Sequence, residues 1–391
     1  MSNVVEGRGP ENPASLLVCA QPHVGSEASK RIFKLATSAP DWGAILHAAS
    51  EESLTPILCK NIEAYAGDAV PPSWRQRFRE ELLGGSCRNL ALTAEMLSVL
   101  EALESHGVRA TPYKGPILAA QAYGDAAMRQ FSDLDIVVPQ RQIVAAHLAL
   151  EALGFRPAIS GLEPSSTPRQ IPGQYAYRKE PDTLVELHTE FTLRYFPRRL
   201  DLGELCDRRE FVQVAGRRML TFSAEDTLLL LCVHGSKHFW ERLGWIADLA
   251  ALAGGSRRLD WGLVMQRAKR WGIQRMTLLG VGLAARLFHL PLPTEMMDYL
   301  ERDVVARGLG DSICRRLFAT EQARVGVFSR FSFRVRMRGS LAQGLLYAFR
   351  LTLMPTEFDR GQHAPYLEPL YALQRPLRLA RTYGWRTRGG R

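Results

Sequence analysis

No stretch of the chain is apolar for long enough to cross a bilayer; the longest, such as Thr227 to Val233, falls far short of the ~20 residues a spanning helix needs. A Cys-x-x-Cys pair is also missing. The six cysteines, Cys19, Cys59, Cys87, Cys206, Cys232 and Cys314, are scattered over 391 residues, which excludes a small disulfide-stapled frame and leaves them reduced and mostly buried. The first residues, Met-Ser-Asn-Val-Val-Glu-Gly-Arg-Gly-Pro, lack the basic-then-apolar order of a secretory signal, so a cytoplasmic location is expected. Acidic residues are the minority charge, 40 against 50 Lys and Arg, giving a net +10 and a pI near 9.5. The excess is mainly arginine, which favours planar anions such as phosphates and carboxylates, although charge alone equally describes a solvated basic surface.

What is present is an ordinary globular composition, 46% hydrophobic and 23% charged, on a chain long enough for two or three packed units. Residues 1–14, rich in Pro, Gly and Asn, read as a loose tail, and 15–107 read as helical. Asp41 is placed to cap a helix running to Ser50, Leu54 to Tyr65 continues with helical spacing, and Ser73 is placed to cap a long helix from Trp74 to Ser105. Residues 108–222 change character. Strands are predicted at Val108–Tyr113, Leu134–Val138, Gln174–Arg178, Thr183–His188, Glu210–Val214 and Arg218–Phe222, with helices at Ile117–Tyr123 and Arg141–Leu153. Gly154 suits a left-handed cap for the second of these helices. Residues 223–354 return to helical periodicity behind Ser223, a good N-cap followed by acidic residues. Residues 355–391, rich in Pro, Gly and Arg, read as a basic tail.

The chemistry concentrates in Ser-Asp-Leu-Asp-Ile-Val-Val, 132 to 138. Alternation along a strand sends Asp133 and Asp135 to one face and Leu134 and Ile136 to the other. Two carboxylates so close repel unless a cation lies between them, and hard oxygen ligands suit Mg²⁺, which shares its shell readily with phosphates. Asp-x-Asp alone is a weak pattern, equally a turn with two capping aspartates. Its context strengthens it. Upstream, a strand runs into Lys114-Gly115 and a helix, an arrangement that presents backbone amides to a phosphate. Downstream, Glu186 stands alone among apolar residues in Leu-Val-Glu-Leu-His, where burial without a partner would be costly. His188, two residues on, shares its strand face and is a candidate for proton transfer.

Taken together, Lys114-Gly115, Tyr123-Gly124-Asp125 through Arg129, Asp133-Leu-Asp135-Ile-Val-Val and Glu186-Leu-His188 resemble the DNA-polymerase-β-like nucleotidyltransferase superfamily, and within it a bacterial nucleotidyltransferase family. His234-Gly-Ser-Lys-His238, Trp240-Glu-Arg-Leu-Gly-Trp245 and Asp248-Leu extend the resemblance to about residue 250, with a weaker echo in Arg375-Pro-Leu-Arg378. It implies an α/β (α+β) fold: a small mixed β-sheet nucleotidyltransferase core flanked by N- and C-terminal helical regions. Asp133 and Asp135 would hold two Mg²⁺ ions (Mn²⁺ being an alternative), and Glu186 would complete the second site and help deprotonate an acceptor hydroxyl. The implied substrates are a nucleoside triphosphate such as ATP and a small-molecule or natural-product peptide acceptor. Nucleic acid is a less favoured partner, and oligomeric state is left open.

One departure stands out. The superfamily has Gly-Ser where this chain has Lys114-Gly115, so Lys114 is expected to supply a point charge to the phosphates, with Arg129 as a clamp. The same departure leaves room for a non-catalytic nucleotide-binding or regulatory protein, or for a transferase using a nucleotide sugar. His234 and His238, one helical turn apart with Glu241 three further on, have the spacing of a zinc face but not the His-Glu-x-x-His order. They are read instead, with Lys237, as lining the cleft. Tyr123, Trp240 and Trp245 are candidates for stacking on a base, against the commoner role of core aromatics.

Overall fold

The computed structural model describes residues 13–158, 173–191, 200–255, 257–319 and 326–353. The tails expected at 1–14 and 355–391 therefore lie, but for residues 13 and 14, outside the described residues, as does Arg375-Pro-Leu-Arg378. Four helices come first: α1 (Pro13–Cys19), α2 (Ser26–Thr37), α3 (Trp42–Glu51) and α4 (Thr55–Ala66). Asp41 caps α3 as its sequence position predicts, accepting from the Ala44 amide at 2.9 Å. Helix α5 (Pro72–Ser105) is 34 residues long and begins earlier than expected, with Pro71 rather than Ser73 in the cap position. A proline in the first turn has no amide hydrogen to lose, so Pro72 opens the helix where a polar cap was sought.

The sheet region follows, with β1 (Thr111–Tyr113), α6 (Gly115–Leu118), β2 (Asp133–Val137), α7 (Ile143–Ala152), β3 (Arg156–Pro157), β4 (Gln174–Lys179) and β5 (Thr183–His188). Helix α6 continues as a single π turn over Ala119–Tyr123, where an unbroken α-helix was expected. Helix α7 starts at Ile143, after a short 3-10 turn, and Gly154 closes it at φ +87°. The strands form one mixed sheet in the order β1-β2-β5-β4-β3, in which β2 and β5 are parallel and the other pairs antiparallel. Helix α8 (Leu202–Asp207) then leads to a separate hairpin of β6 (Glu210–Val214) and β7 (Arg217–Thr221). Thr221 Oγ1 donates to the Pro112 carbonyl at 2.8 Å and ties that hairpin to β1.

The last region is helical: α9 (Ala224–Lys237), α10 (Leu243–Gly254), α11 (Trp261–Trp271), α12 (Gln274–Phe288), α13 (Thr294–Arg302), α14 (Val304–Leu317), α15 (Val327–Arg336) and α16 (Leu341–Leu353). Ser223 caps α9 by accepting from the Asp226 amide at 3.2 Å. The N-terminal and C-terminal helices share one apolar core, which joins Leu16, Ile32 and Leu58 to Leu228, Trp240 and Leu279. A second core lies under one sheet face, where Leu134, Ile136, Val185 and Leu187 pack on Met96, Val99 and Leu103 of α5 and on Ala146 and Leu150 of α7. Helix α5 belongs to both, since Phe78 near its start lies in the first core. Period-2 alternation thus commits one sheet face to the second core and leaves Asp133, Asp135, Glu186 and His188 on the other.

Candidate active site

The parallel register of β2 and β5 sets Asp135 beside Glu186, and Val137 beside His188. Neighbours in register point to the same face, so both carboxylates and the imidazole meet above one patch of sheet. Ligand atoms of Asp135, Glu186 and His188 lie within 4.8 Å of one another, the one such group of metal-ligating side chains among the described residues. Asp133 starts the strand opposite Leu184 and stands outside that tight group. Its carboxyl is still close enough to feel its neighbours: burial and then repulsion by Asp135 raise it above its ordinary range.

Asp135 is 3% exposed, and Tyr113, His188 and Lys114 all bear on its carboxylate. His188 Nε2 lies 2.7 Å from Asp135 Oδ1 and Lys114 Nζ 3.3 Å from it. Burial opposes ionisation, but Lys114 and His188 together outweigh it and hold the Asp135 carboxyl well below its usual range. His188 also lies 3.5 Å from Glu186 Oε2, which accepts from Gln174 Nε2 at 2.6 Å. Burial works against the imidazolium, yet hydrogen bonds to both carboxylates raise the His188 value. Glu186, desolvated but bonded by His188, is shifted down. Tyr113 closes the patch from β1, its ring edge-on to His188 at 5.4 Å.

Lys114 reaches Asp135 because of its backbone. Strand β1 ends in two consecutive residues of positive φ, Lys114 at +52° and Gly115 at +45°. Such a conformation is rare for a lysine and ordinary for a glycine, so Gly115 is the residue type the turn requires, while Lys114 is held there by its surroundings. The turn aims the lysine stem across the Tyr113 ring, with Nζ 5.0 Å from its centroid. Arg129 is held elsewhere. Its Nε bonds both oxygens of Asp248 at 3.1 and 2.9 Å, and Tyr123 donates to the same carboxylate at 3.0 Å. Asn89 of α5 fixes the turn from behind by donating to the carbonyls of Ala126 and Arg129, both at 2.8 Å.

The opposite wall is the end of α9. The His234 and His238 rings lie 4.6 Å apart, and each packs on Trp245, at 5.1 and 5.5 Å. Burial and then Lys114 push His234 well below its ordinary value, while burial and then Lys237 bring His238 to about 4. Both rings are therefore neutral packing groups facing the acidic patch. Glu241 does not join them in a metal site; it pairs with Arg330 at 3.1 Å. Lys237, lowered by burial and by Lys114, makes no ion pair with a described residue. Trp240 is fully buried and Trp245 partly so. A Cβ on Gly235 would fall 2.5 Å from the Trp240 ring, so only glycine allows α9 to pass it. A separate groove of about 700 Å³, lined by His47, Trp74 and Arg77 among others, lies on the N-terminal helices and touches none of these groups.

The fit to a divalent cation rests on the donor set. Two facing carboxylates with a third nearby offer hard oxygen ligands, and the repulsion between them is relieved here by His188 and Lys114. Sequence reasoning placed Asp133, Asp135, Glu186, His188 and Lys114 in one neighbourhood. It missed Gln174 and Tyr113, whose clue is strand alternation: Gln174 is registered opposite His188 and Tyr113 opposite Asp135.

A family model described as uncharacterised nucleotidyltransferase matches residues 38–289. Among curated proteins none matches. Two solved structures are similar at low identity. The antibiotic-resistance factor ANT(2'')-Ia has 13% identity and a TM-score of 0.32, over 50% of this chain and 96% of its own. An antigenic nucleotidyltransferase-like protein from Paracoccidioides brasiliensis has 18% identity and a TM-score of 0.27, over 51% and 96%.

Proposed function

The chain belongs to the family of uncharacterised nucleotidyltransferases, and from that premise we propose that it transfers a nucleoside monophosphate from a nucleoside triphosphate to a hydroxyl of a small-molecule or peptide acceptor. The observation that carries the reading is the registered pair Asp135 and Glu186, with Asp133 on the same strand face. These three carboxylates are the residues that would hold Mg²⁺, and His188 is a fourth donor within reach. When bound, the metal supplies charge neutralisation and alignment for phosphoryl displacement.

The protein's own groups do the remainder. Lys114, paired with Asp135 at 3.3 Å, would offer its ammonium to a β- or γ-phosphate oxygen. Lys237 on the facing helix offers a second cation. Arg129, anchored on Asp248, acts in this reading by fixing the turn before β2 and so the position of Asp133. In the transfer the acceptor oxygen bonds to the α-phosphorus as the bond to pyrophosphate breaks. The hydroxyl proton passes to a carboxylate of the cluster, Glu186 in the reading favoured here.

The test is incubation of the protein and Mg²⁺ with each α-labelled nucleoside triphosphate and pooled hydroxylated acceptors. Label is expected to move onto an acceptor with release of pyrophosphate. Nucleotide binding without any transfer would favour a regulatory role, and transfer from a nucleotide sugar alone would replace the donor class.

A further inference from the structure

The acids stand on β2 and β5, and β4, the strand outside β5, brings one more polar group to their face. In the antiparallel register of β4 and β5, Gln174 lies opposite His188 and Ala176 opposite Glu186. Side chains directly opposite share a face, so Gln174 stands on the acidic face, one diagonal step from Glu186. Ala176, directly across from Glu186, carries only a methyl group, which leaves the Gln174 side chain room to lie along the strand. Its Nε2 donates to Glu186 Oε2 at 2.6 Å, a short bond of the kind a charged acceptor makes. The start of β4 is fixed as well. Gly173 has φ +106°, and its carbonyl accepts from the Thr189 amide at 3.0 Å. A Cβ on Gly173 would lie 3.4 Å from that of Glu190 at a φ that side chains rarely adopt, so glycine lets the chain enter β4 against the end of β5. Gln174 thus reaches Glu186 from a backbone that is itself tied to β5.

The consequence lies in which oxygen of Glu186 is left. Oε2 accepts from Gln174 and lies 3.5 Å from His188 Nε2, whereas Oε1 meets no donor among the described residues. His188 is shared, and its shorter contact, at 2.7 Å, is to Asp135. Gln174 is therefore the partner that serves Glu186 alone. A carboxylate with one oxygen held does not turn freely about its last bond, and its other oxygen keeps one direction. A neutral amide does this without cancelling the negative charge a cation would need, as a lysine at the same position would. Carboxylates that bind metals are commonly held by such a neighbour, and losing it costs roughly 10–100-fold in metal affinity or activity. We infer that Gln174 is a positioning residue of the site: it holds Glu186 by Oε2 and presents Oε1 to the metal ion and the acceptor hydroxyl. This role rests on the function proposed above.

The experiment compares Gln174→Met, which keeps the length of the side chain and removes its donor, with Gln174→Asn, which keeps the amide and shortens its reach. Turnover with Mg²⁺ and a nucleoside triphosphate is expected to fall roughly 10–100-fold in both, with KM for the nucleotide within about twofold of the parent. Mn²⁺ binding to the nucleotide-free protein, followed by electron paramagnetic resonance, should weaken by about tenfold. Crystal structures of the parent and of Gln174→Met should show the Glu186 carboxyl turned from its parent orientation. Arg178→Gln is the control, because Arg178 is exposed further along β4 and paired with Asp182, and it should change none of these. Unaltered melting shows that the variants fold. The inference is overturned if Glu186 keeps its orientation in Gln174→Met, or if both variants match the parent in turnover and metal affinity. A rise in nucleotide KM with turnover unchanged overturns it too, since Gln174 would then be touching the nucleotide. An active parent with unaltered variants ends this role alone, whereas a parent that neither transfers nucleotide nor binds Mn²⁺ ends the proposed function along with it.

Discussion

Asp226 and Asp135 are both buried carboxylates, and their surroundings differ. Asp226 is wholly enclosed and meets two guanidinium groups. Arg208 bonds both of its oxygens, at 3.0 and 3.1 Å, and Arg267 adds a third contact at 2.9 Å. Asp135 takes a lysine and a histidine on a single oxygen and faces a second carboxylate. A carboxylate saturated by arginine is a structural tie between α9, α11 and the chain ahead of β6. One that meets a lysine and a histidine beside a second carboxylate is, in the function proposed above, a metal ligand. Burial alone does not tell the two apart; the count and placement of partners does.

The sharpest way to break the comparison is to remove charge from each. Asp135→Asn is expected to lower nucleotidyl transfer by more than about 10³-fold while the protein still folds, read from turnover beside thermal unfolding. An active Asp135→Asn enzyme would end the site assignment. Asp226→Ala should do the reverse, costing ~3–5 kcal/mol by stranding Arg208 and Arg267, with transfer per folded molecule retained. Melting within a degree of the parent would show the tie to be dispensable.

A smaller effect is expected at the wall opposite the acids. Gly235→Ala pushes a methyl into Trp240 and should cost ~1–3 kcal/mol, visible as a lower denaturant midpoint. A pH effect is expected at the same wall. His238 is held neutral at a value of about 4, against an ordinary value near 6.5, so as pH falls below that ordinary value the unfolded chain takes up the proton first. The stability contributed by its neutral form is present above about 6.5 and is lost as pH falls from there towards 4. His238→Gln should flatten stability against pH across that window, and an unchanged slope would remove His238 as its source.

The strands, caps and acidic face were legible because each is a local pattern. Asp41 and Ser223 cap the helices they precede, and Asp-x-Asp on a strand puts both carboxylates on one side. The partners of those residues were less legible, because they are made by register and by packing between distant segments. His188 reads in sequence as a neighbour of Glu186, but its main bond is to Asp135, set by the parallel pairing of β2 and β5. Arg129, four residues before Asp133, reads as a phosphate clamp, and the structure ties it to Asp248 across 119 positions of chain. Phe328 and Phe349, both exposed, could not be told from core, since periodicity gives a stripe without saying what lies against it.

Helix α5 carries a consequence for how the molecule comes apart. Its 34 residues extend for about 51 Å at the α-helical rise, and its first turns are sealed in the helical core while its last turns are sealed under the sheet. It works as a splint across two bodies. Melting either core would fray only the half of the splint set in it, leaving the other half protected, so the two cores communicate through a shared rod whose middle bears the load of both.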